Sequence, residues 1–599
     1  MQTSTCRSAD VTLTQRLWHP GMNLSTEYGE ARFPGRDAEL LFRHPREVLT
    51  ASAVGEVRSV LEAVESAVAK GCHAAGLIAY EAAPAFDPAF RVHPNPELPL
   101  LWFGLYDAFE THSPATASLR AHAVGAWNLL LDRPAYDASI ARIREHIAAG
   151  DTYQVNFTFP MRAPFEGDAL GWFRALCAAQ RADYCAFIDM GRFKVLSISP
   201  ELFFDLHGDI ITTRPMKGTR PRGRWPEEDL ERAQELRSSN KDRAENVMIV
   251  DLLRNDLGRI CETGSVAVQR LFDVERYETV WQMTSTITGR TAAGLAEIFR
   301  ALFPCGSVTG APKIETMRII REVEPHPRGV YCGAIGWCSP GRRARFNVAI
   351  RTVVVDTEKG EAQCHVGGGI TWDSSADLEY EECRTKAAFL TLRRPEFALL
   401  ESLLYDGDYF LLEAHLRRLA ASATYFGYPV DVDMTRRRLM DYAKSLGKGA
   451  HKVRLLLHRQ GKLHIERAPV TPERRVRVTM ASFPVDSNNI FLYHKTTHRE
   501  VYERAKAARP DCDDVILWNE RGEITESTVA NIVLDMDGAL LTPPRSAGLL
   551  AGTFRAYLLE TGAIREAILR KEDIARARER FLINSVRQWM KTDWIDHDS

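Results

Sequence analysis

The sequence predicts an α+β protein built as two domains, residues 1–394 and 395–599. Three observations predict it. A chain of 599 residues exceeds what a single hydrophobic core serves. Amphipathic helical stretches alternate with short apolar, strand-like runs. Arg393, Arg394 and Pro395 punctuate the chain, and the proline should end the helix before it. In order, residues 137–149 read as an amphipathic helix, 191–198 and 201–206 as strands, and 246–260 as a helix with Val247, Val250, Asp251 and Arg254 at three- and four-residue spacings. Residues 345–355 and 362–371 read as strands, the second broken by Gly367, Gly368 and Gly369, and 378–392 reads as a long helix. A fresh pattern opens at Phe397: a strand, a turn at Tyr405, Asp406, Gly407 and Asp408, a second strand, and a helix over 413–426.

Composition narrows the function classes. Apolar residues make up 45% and charged residues 26%, the balance of a globular protein. A net charge of -2 gives no reason to expect nucleic acid or an anionic membrane as partner. The 11 cysteines, from Cys6 to Cys512, form no C-x-x-C pair, which argues against a disulfide framework and a structural zinc site. The first residues lack a basic segment followed by an apolar one, and no window approaches ~18 uninterrupted apolar residues, so a cytoplasmic location is expected.

Two helical stretches carry paired acids. Asp242 and Glu245 stand at i, i+3, as do Glu379 and Glu382, with Lys386 four residues further on. These spacings put each pair on one helix face. Facing one another, the pairs would make an oxygen-rich site for a hard cation such as Mg2+. Taken singly, each is equally a solvated helix face with ordinary ion pairs. The stretch from Cys305 to Lys313 is rich in glycine and precedes a helix, where backbone N–H groups suit an anion. Gly367, Gly368 and Gly369 offer a second close backbone approach. Neither stretch is a Walker A loop or a dinucleotide fingerprint, and each is also simply a turn. The run from Arg214 to Gly223 is densely basic but lacks the interleaved aromatics of single-strand binders.

Together the blocks GDTYQVNFT, SISPELFF, RPMKGTRPRG, ENVMIVDLLRNDLGRI, GSVTGAPK, YCGAIGW, FNVAIRT and GGGITWDS…EYEECRTKA, in order over residues 137–386, resemble the chorismate-utilising enzymes. The resemblance implies two packed antiparallel sheets with outer helices and a chorismate site between them. It implies Glu245 and Glu382 as principal Mg2+ ligands, supported by Asp242 and Glu379. It gives Arg351 and Tyr331 to the enolpyruvyl carboxylate, helped by the backbone of Gly367, Gly368 and Gly369, and marks Ser307 and Lys386 as further substrate positions.

Lys217 separates branches of that family. Anthranilate synthases carry a small residue there, whereas the P-x-K-G-T setting of residues 215–219 is similar to aminodeoxychorismate synthase component I. A lysine amine adding at C2 expels the C4 hydroxyl, and ammonia then enters at C4 as the lysine leaves. Such a lysine must be neutral to attack, and Arg214, Arg220 and Arg222 are candidates to depress its pKa. Two departures stand out: Asp242 replaces a more usual Glu, and Gln282 a more usual His. No amidotransferase nucleophile elbow occurs, so a glutamine amidotransferase partner in trans, or free ammonia, is expected.

The pieces HLRRLAASATYFG, KVRLLL, YHKTTHREVYERA, DVILWNERGEITESTVANIVL, GLLAGTFR and INSVRQW resemble the fold-type IV pyridoxal-phosphate enzymes, which include aminotransferases and aminodeoxychorismate lyase. The resemblance implies a two-lobed α/β domain with pyridoxal 5'-phosphate at the lobe junction. Lys495 is then the lysine that joins the cofactor, Glu526 the carboxylate on the pyridine nitrogen, and Arg418, Gly552 and Thr553 the phosphate contacts. A homodimer is common among such relatives. The leading expectation is a bifunctional enzyme forming 4-aminobenzoate. The alternatives are a type IV aminotransferase or a non-catalytic scaffold in the second half, and an anthranilate- or isochorismate-type synthase in the first.

Overall fold

The computed structural model describes residues 29–35, 38–94, 97–112, 121–391, 395–470 and 475–595; Cys6, Arg393 and Arg394 lie outside them. The chain forms two compact units that do not simply follow one another. The first comprises Met1–Met216, Val247–Leu271 and Ser285–Leu392, the second Lys217–Asn246, Phe272–Thr284 and Arg393–Ser599. No described helix is long and apolar enough to cross a membrane. Among the described residues ten cysteines are free thiols.

The first unit is an antiparallel two-sheet sandwich. One sheet runs in the order Gly310–Ala311, Gln154–Gly167, Glu361–Ile370, Thr352–Asp356, Phe193–Ser199, Tyr184–Asp189, Ala31–Pro34, Glu39–Phe42 and Glu110–His112. The other includes Ile210–Arg214, Leu202–His207, Arg343–Val348, Ala334–Ser339, His73–Ile78, Leu101–Tyr106 and Glu47–Ala51. Alternating strand residues send one apolar set inward, and the inner faces meet in Phe42, Trp102, Ile188, Val195 and Ile335. Helices seal the outer faces. The helix Arg133–Ala149 starts where the Asp132 side chain accepts the Ala135 N–H, ends at left-handed Gly150, and buries Tyr136, Ile140 and Ile143.

Three local expectations are corrected in this unit. Residues 345–355 form two strands, Arg343–Val348 and Thr352–Asp356, because the chain turns between them with Arg351 at φ 48°. The glycine triplet does not break its strand. Glu361–Ile370 pairs without interruption along Gln154–Gly167, and a Cβ at Gly367 would lie 2.2 Å from the Phe157 carbonyl oxygen. Glycine there permits close passage of a neighbouring backbone. The long helix covers Ala376–Ala387 and continues only as a 3-10 turn, Ala388–Leu390.

The second unit contains two lobes. In one, helices Leu412–Phe426 and Val432–Ala443 pack on a three-stranded sheet of Leu399–Tyr405, His451–Leu457 and Leu463–Pro469, around Leu403, Leu416, Leu419, Leu439 and Val453. The second strand expected after the Tyr405 turn is only an isolated bridge from Tyr405 to Tyr409. In the other lobe eight strands form a mixed sheet whose Ile524–Ser527 pairs with both Asp514–Trp518 and Asn531–Met536, closing it on itself. Val476–Met480 lies parallel to both its neighbours. The lobes join where the Lys495 carbonyl accepts the Leu400 N–H at 2.9 Å.

Candidate functional site

In the first unit, helix Ala376–Ala387 lies along the glycine-bearing strand. The Lys386 ammonium donates to the Gly367 carbonyl at 2.9 Å and pairs with Glu382 at 2.8 Å. The Ser374 hydroxyl donates to Glu379 at 2.8 Å, and a Cβ at Gly368 would lie 3.1 Å from the Glu379 carboxylate. Missing side chains on the strand thus leave room where Glu379 and Lys386 converge. The expected carboxylate-binding pair sits nearby. Tyr331 stacks on His365 with centroids 5.2 Å apart, and His365 lies two residues before Gly367. Burial pulls the His365 pKa down to about 3, so this ring is neutral. Bonds from Cys332 N–H to the Ala349 carbonyl (2.9 Å) and from Ala349 N–H to the Gly333 carbonyl (3.0 Å) join the turns bearing Tyr331 and Arg351. Cys332 at φ 63° and Arg351 at φ 48° are non-glycine residues in the left-handed region, a strain that clusters at ligand sites. Ser307 is buried in the turn Gly306–Val308, 3.2 Å from the Cys305 thiol.

In the second unit, Lys217 lies on the strand Met216–Pro221. Most of the basic run is therefore strand. Arg220 donates to Asp242 at 2.8 Å, and Arg222 forks onto Asp229 with two bonds of 2.7 Å. Both arginines are thus ion-paired, and in the first unit Arg214 donates to the Tyr184 hydroxyl at 3.3 Å. Gln282 acquires a structural role instead: its amide donates to the Gly218 carbonyl and accepts from Thr219, both at 2.9 Å. It pins the two residues after Lys217. Gly218 has φ 92° and faces Asp242, whose Cβ would lie 2.9 Å from an added methyl.

Among the described residues, no three His, Cys, Asp or Glu side chains are gathered into a ready-made metal centre. Asp242 and Glu245 stand on the helix Asn240–Gly258, and Glu379 and Glu382 on Ala376–Ala387. Each pair is all carboxylate oxygen, a donor type that suits Mg2+ rather than a softer ion. Asp242 and Glu382 are held by cations here, through Arg220 and Lys386.

The second unit brings Lys495, Glu526, Arg418, Gly552 and Thr553 together. Desolvation pulls the Lys495 pKa down to about 8; Arg418 and Arg499 act in the same direction, and Glu401 and Glu526 oppose. Glu526 is buried in the strand Ile524–Ser527, accepting from the Tyr502 hydroxyl (2.8 Å), the Leu550 N–H (3.1 Å) and the Asn531 amide (3.2 Å). Burial pushes its pKa up to about 7 against those bonds and the Lys495 charge. A carboxyl poised there can share or surrender a proton to a basic ring nitrogen. Gly552 caps the helix Thr553–Glu560, and a Cβ on it would lie 2.2 Å from the Asn531 carboxamide. The open N–H groups of that helix start, with the Thr553 hydroxyl, suit a phosphate.

Arg418 does not point freely at that helix. It forks onto Glu401 at 2.9 and 2.6 Å and donates to the Ala551 carbonyl at 3.2 Å. His415 joins the same carboxylate at 2.6 Å, and its other nitrogen lies 3.2 Å from the Thr553 hydroxyl. Burial alone would raise the Glu401 pKa, but Arg418 and His415 overcome it and hold it at about 2. Glu401 is thus a fixed anion beneath the expected phosphate contacts. Sequence reasoning missed it, with His415, Tyr502 and Asn531. The available signal was a single carboxylate in the apolar run LLESLLY, with His415 and Arg418 at i, i+3 on the following helix. These residues fit pyridoxal 5'-phosphate: a lysine of lowered proton affinity, a buried carboxyl, and a helix start flanked by an arginine.

Residues 22–392 match the family described as chorismate binding enzyme, and residues 398–593 match amino-transferase class IV. Aminodeoxychorismate synthase component 1 of Klebsiella aerogenes is 45% identical over 259 residues, 43% of this chain and 57% of that protein. Anthranilate synthase component 1 of Streptomyces coelicolor is 40% identical over 296 residues, 49% of this chain and 58% of that protein. The chain therefore spans less than two thirds of the length of these curated relatives. The crystal structure of anthranilate synthase component I from Streptococcus pneumoniae TIGR4 superposes with a TM-score of 0.54 at 25% identity, covering 63% of this chain and 96% of that one.

Proposed function

Because the chain belongs to the chorismate binding enzyme family over residues 22–392, we propose that it makes 4-aminobenzoate from chorismate in two steps. The boundary between the halves that perform them is near residue 395. In the first step the Lys217 amine adds at C2 of chorismate and the C4 hydroxyl leaves as water while the ring double bond shifts. Ammonia then adds at C4 and the C2–N bond to Lys217 breaks, giving 4-amino-4-deoxychorismate. Arg351 and Tyr331 hold the enolpyruvyl carboxylate, the backbone around Gly367, Gly368 and Gly369 admits the ring, and Ser307 and Lys386 complete the wall. Glu245 and Glu382, with Asp242 and Glu379 in support, would hold Mg2+, whose charge would offset that of the ring carboxylate. The ammonia comes from a separate glutamine amidotransferase or from solution.

In the second step Lys495 takes the C4 proton of the aminated ring, pyruvate departs from the neighbouring carbon, and the ring becomes aromatic. Pyridoxal 5'-phosphate, when bound, supplies an electron-accepting ring. Glu526 would keep its nitrogen protonated, Arg418, Gly552 and Thr553 would hold its phosphate, and Glu401 and His415 hold Arg418 and Thr553.

The observation that carries this reading is the pairing of Lys495 with Glu526, a depressed amine and an elevated carboxyl beside one helix start, in a chain whose first half keeps a lysine at position 217. Product analysis tests it. Chain supplied with chorismate, ammonium, Mg2+ and pyridoxal 5'-phosphate should release pyruvate and 4-aminobenzoate in equal amounts. Exchange of an amino group with a 2-oxo acid, without pyruvate, would show an aminotransferase instead.

A further inference from the structure

The chain leaving the strand of Lys217 runs through residues 222–225, and these are gripped by C-terminal residues of the same unit. The Arg222 side chain is 6% exposed, forked onto Asp229. Its remaining bonds reach the Tyr277 carbonyl at 3.0 Å and the Tyr425 carbonyl at 3.1 Å, and its guanidinium lies 4.4 Å from the centre of the Tyr425 ring. The Tyr425 hydroxyl returns a bond to the Gly223 carbonyl at 2.7 Å, while the Gly223 N–H donates to Asp229 at 2.9 Å. One residue on, Arg224 donates to the Tyr493 hydroxyl at 3.3 Å, and the Trp225 and Tyr493 rings are 5.1 Å apart. Trp281 donates to Asp229 at 2.8 Å and lies beneath Arg222. Residues 218 and 219 are pinned by Gln282, as described above.

A buried arginine with a forked carboxylate and an aromatic face is a rigid joint, because the planar guanidinium fixes direction as well as distance. The joint borders the Lys495 segment, with the Tyr425 ring 4.3 Å from that of His494 and Arg224 and Trp225 on Tyr493. At its other side it fixes the end of a six-residue strand whose second residue is Lys217. Nucleophilic attack tolerates little misplacement, about 1 Å costing ~10²-fold.

Resting on the two-step reading above, we infer that Arg222 and Tyr425 are positioning residues for the Lys217 step. The C-terminal half, besides its own chemistry, holds the synthase lysine in register. Such support predicts that damage to the joint lowers the rate of amination without weakening chorismate binding, since a displaced amine changes the reacting geometry and not the carboxylate contacts.

The test uses the full chain with chorismate, saturating ammonium and Mg2+, and follows the aminated product. Tyr425→Leu and Arg222→Lys should each lower kcat by about tenfold with the KM for chorismate within about threefold of wild type. Tyr425→Phe keeps the ring under Arg222 and should recover most of that loss. Should Tyr425→Leu fail to fold, Arg222→Lys and Tyr425→Phe decide the matter. Wild-type kcat in Arg222→Lys, or a fall explained entirely by a raised KM, overturns the inference. Lys217→Ala in the same assay separates the two levels. If it retains wild-type amination, the two-step reading fails; if it alone loses amination, only the positioning role fails.

Discussion

Lys217 and Lys495 are both assigned the work of an amine, yet the protein prepares them differently. Lys495 lies among groups of its own unit that tune it: desolvation brings it to about 8, with Arg418 and Arg499 acting in the same direction and the charges of Glu401 and Glu526 opposing. Lys217 lies on a strand rich in arginine, but Arg220 and Arg222 are tied to Asp242 and Asp229. There the surroundings spend their charge on fixing the strand. The contrast teaches that a basic cluster in sequence can be a set of ion-paired arginines in space.

The largest expected effect breaks the comparison at Lys217. Lys217→Ala should lower 4-amino-4-deoxychorismate formation by ~10³-fold or more, since a covalent step has no substitute; product assays by chromatography check this. On the other side, Glu526→Gln should cut 4-aminobenzoate release by ~10²-fold and shift the absorption band of the bound cofactor, because the ring nitrogen loses its ionisable partner. A shifted rate with an unmoved band would place Glu526 elsewhere.

Glu401→Gln probes the foundation of the Lys495 pocket. Removing a carboxylate that holds Arg418 and His415 leaves a guanidinium short of its partner and should cost about 3 kcal/mol of stability in denaturant unfolding. The pH dependence of stability sharpens the tuning itself. Glu526 is raised from 4.5 to about 7, so in cofactor-free protein its stabilising contribution is present below 4.5 and lost as pH rises through about 7. Lys495 is lowered from 10.5 to about 8, so its contribution is present above 10.5 and lost as pH falls through about 8. Glu526→Gln should flatten the melting temperature between pH 4.5 and 7 and leave the alkaline limb in place. The smallest effect belongs to Gln282→Ala, which frees Gly218 and Thr219 beside Lys217 and should lower amination by about threefold.

Much of this was legible in the chain. Alternation of apolar residues marks strands such as 193–199 and 202–207, and the i, i+3 acids do lie on helices. What escaped depends on neighbours distant in sequence. The glycine triplet keeps its strand because Phe157 passes so close, and the break at Arg351 arises where the chain turns from one strand to the next. The grouping of Lys217–Asn246 with the C-terminal residues follows from Arg222 meeting Tyr425, a contact no local pattern announces. In the site, Lys495, Glu526 and Arg418 were visible as an ordered set, but Glu401 was not, since its partners come from the next helix.

The most direct test of a chain with two separately prepared amines is a time course of Lys495→Ala with chorismate, ammonium, Mg2+ and pyridoxal 5'-phosphate. 4-Amino-4-deoxychorismate should build up while neither pyruvate nor 4-aminobenzoate appears. Formation of 4-aminobenzoate at the wild-type rate by that variant would contradict this.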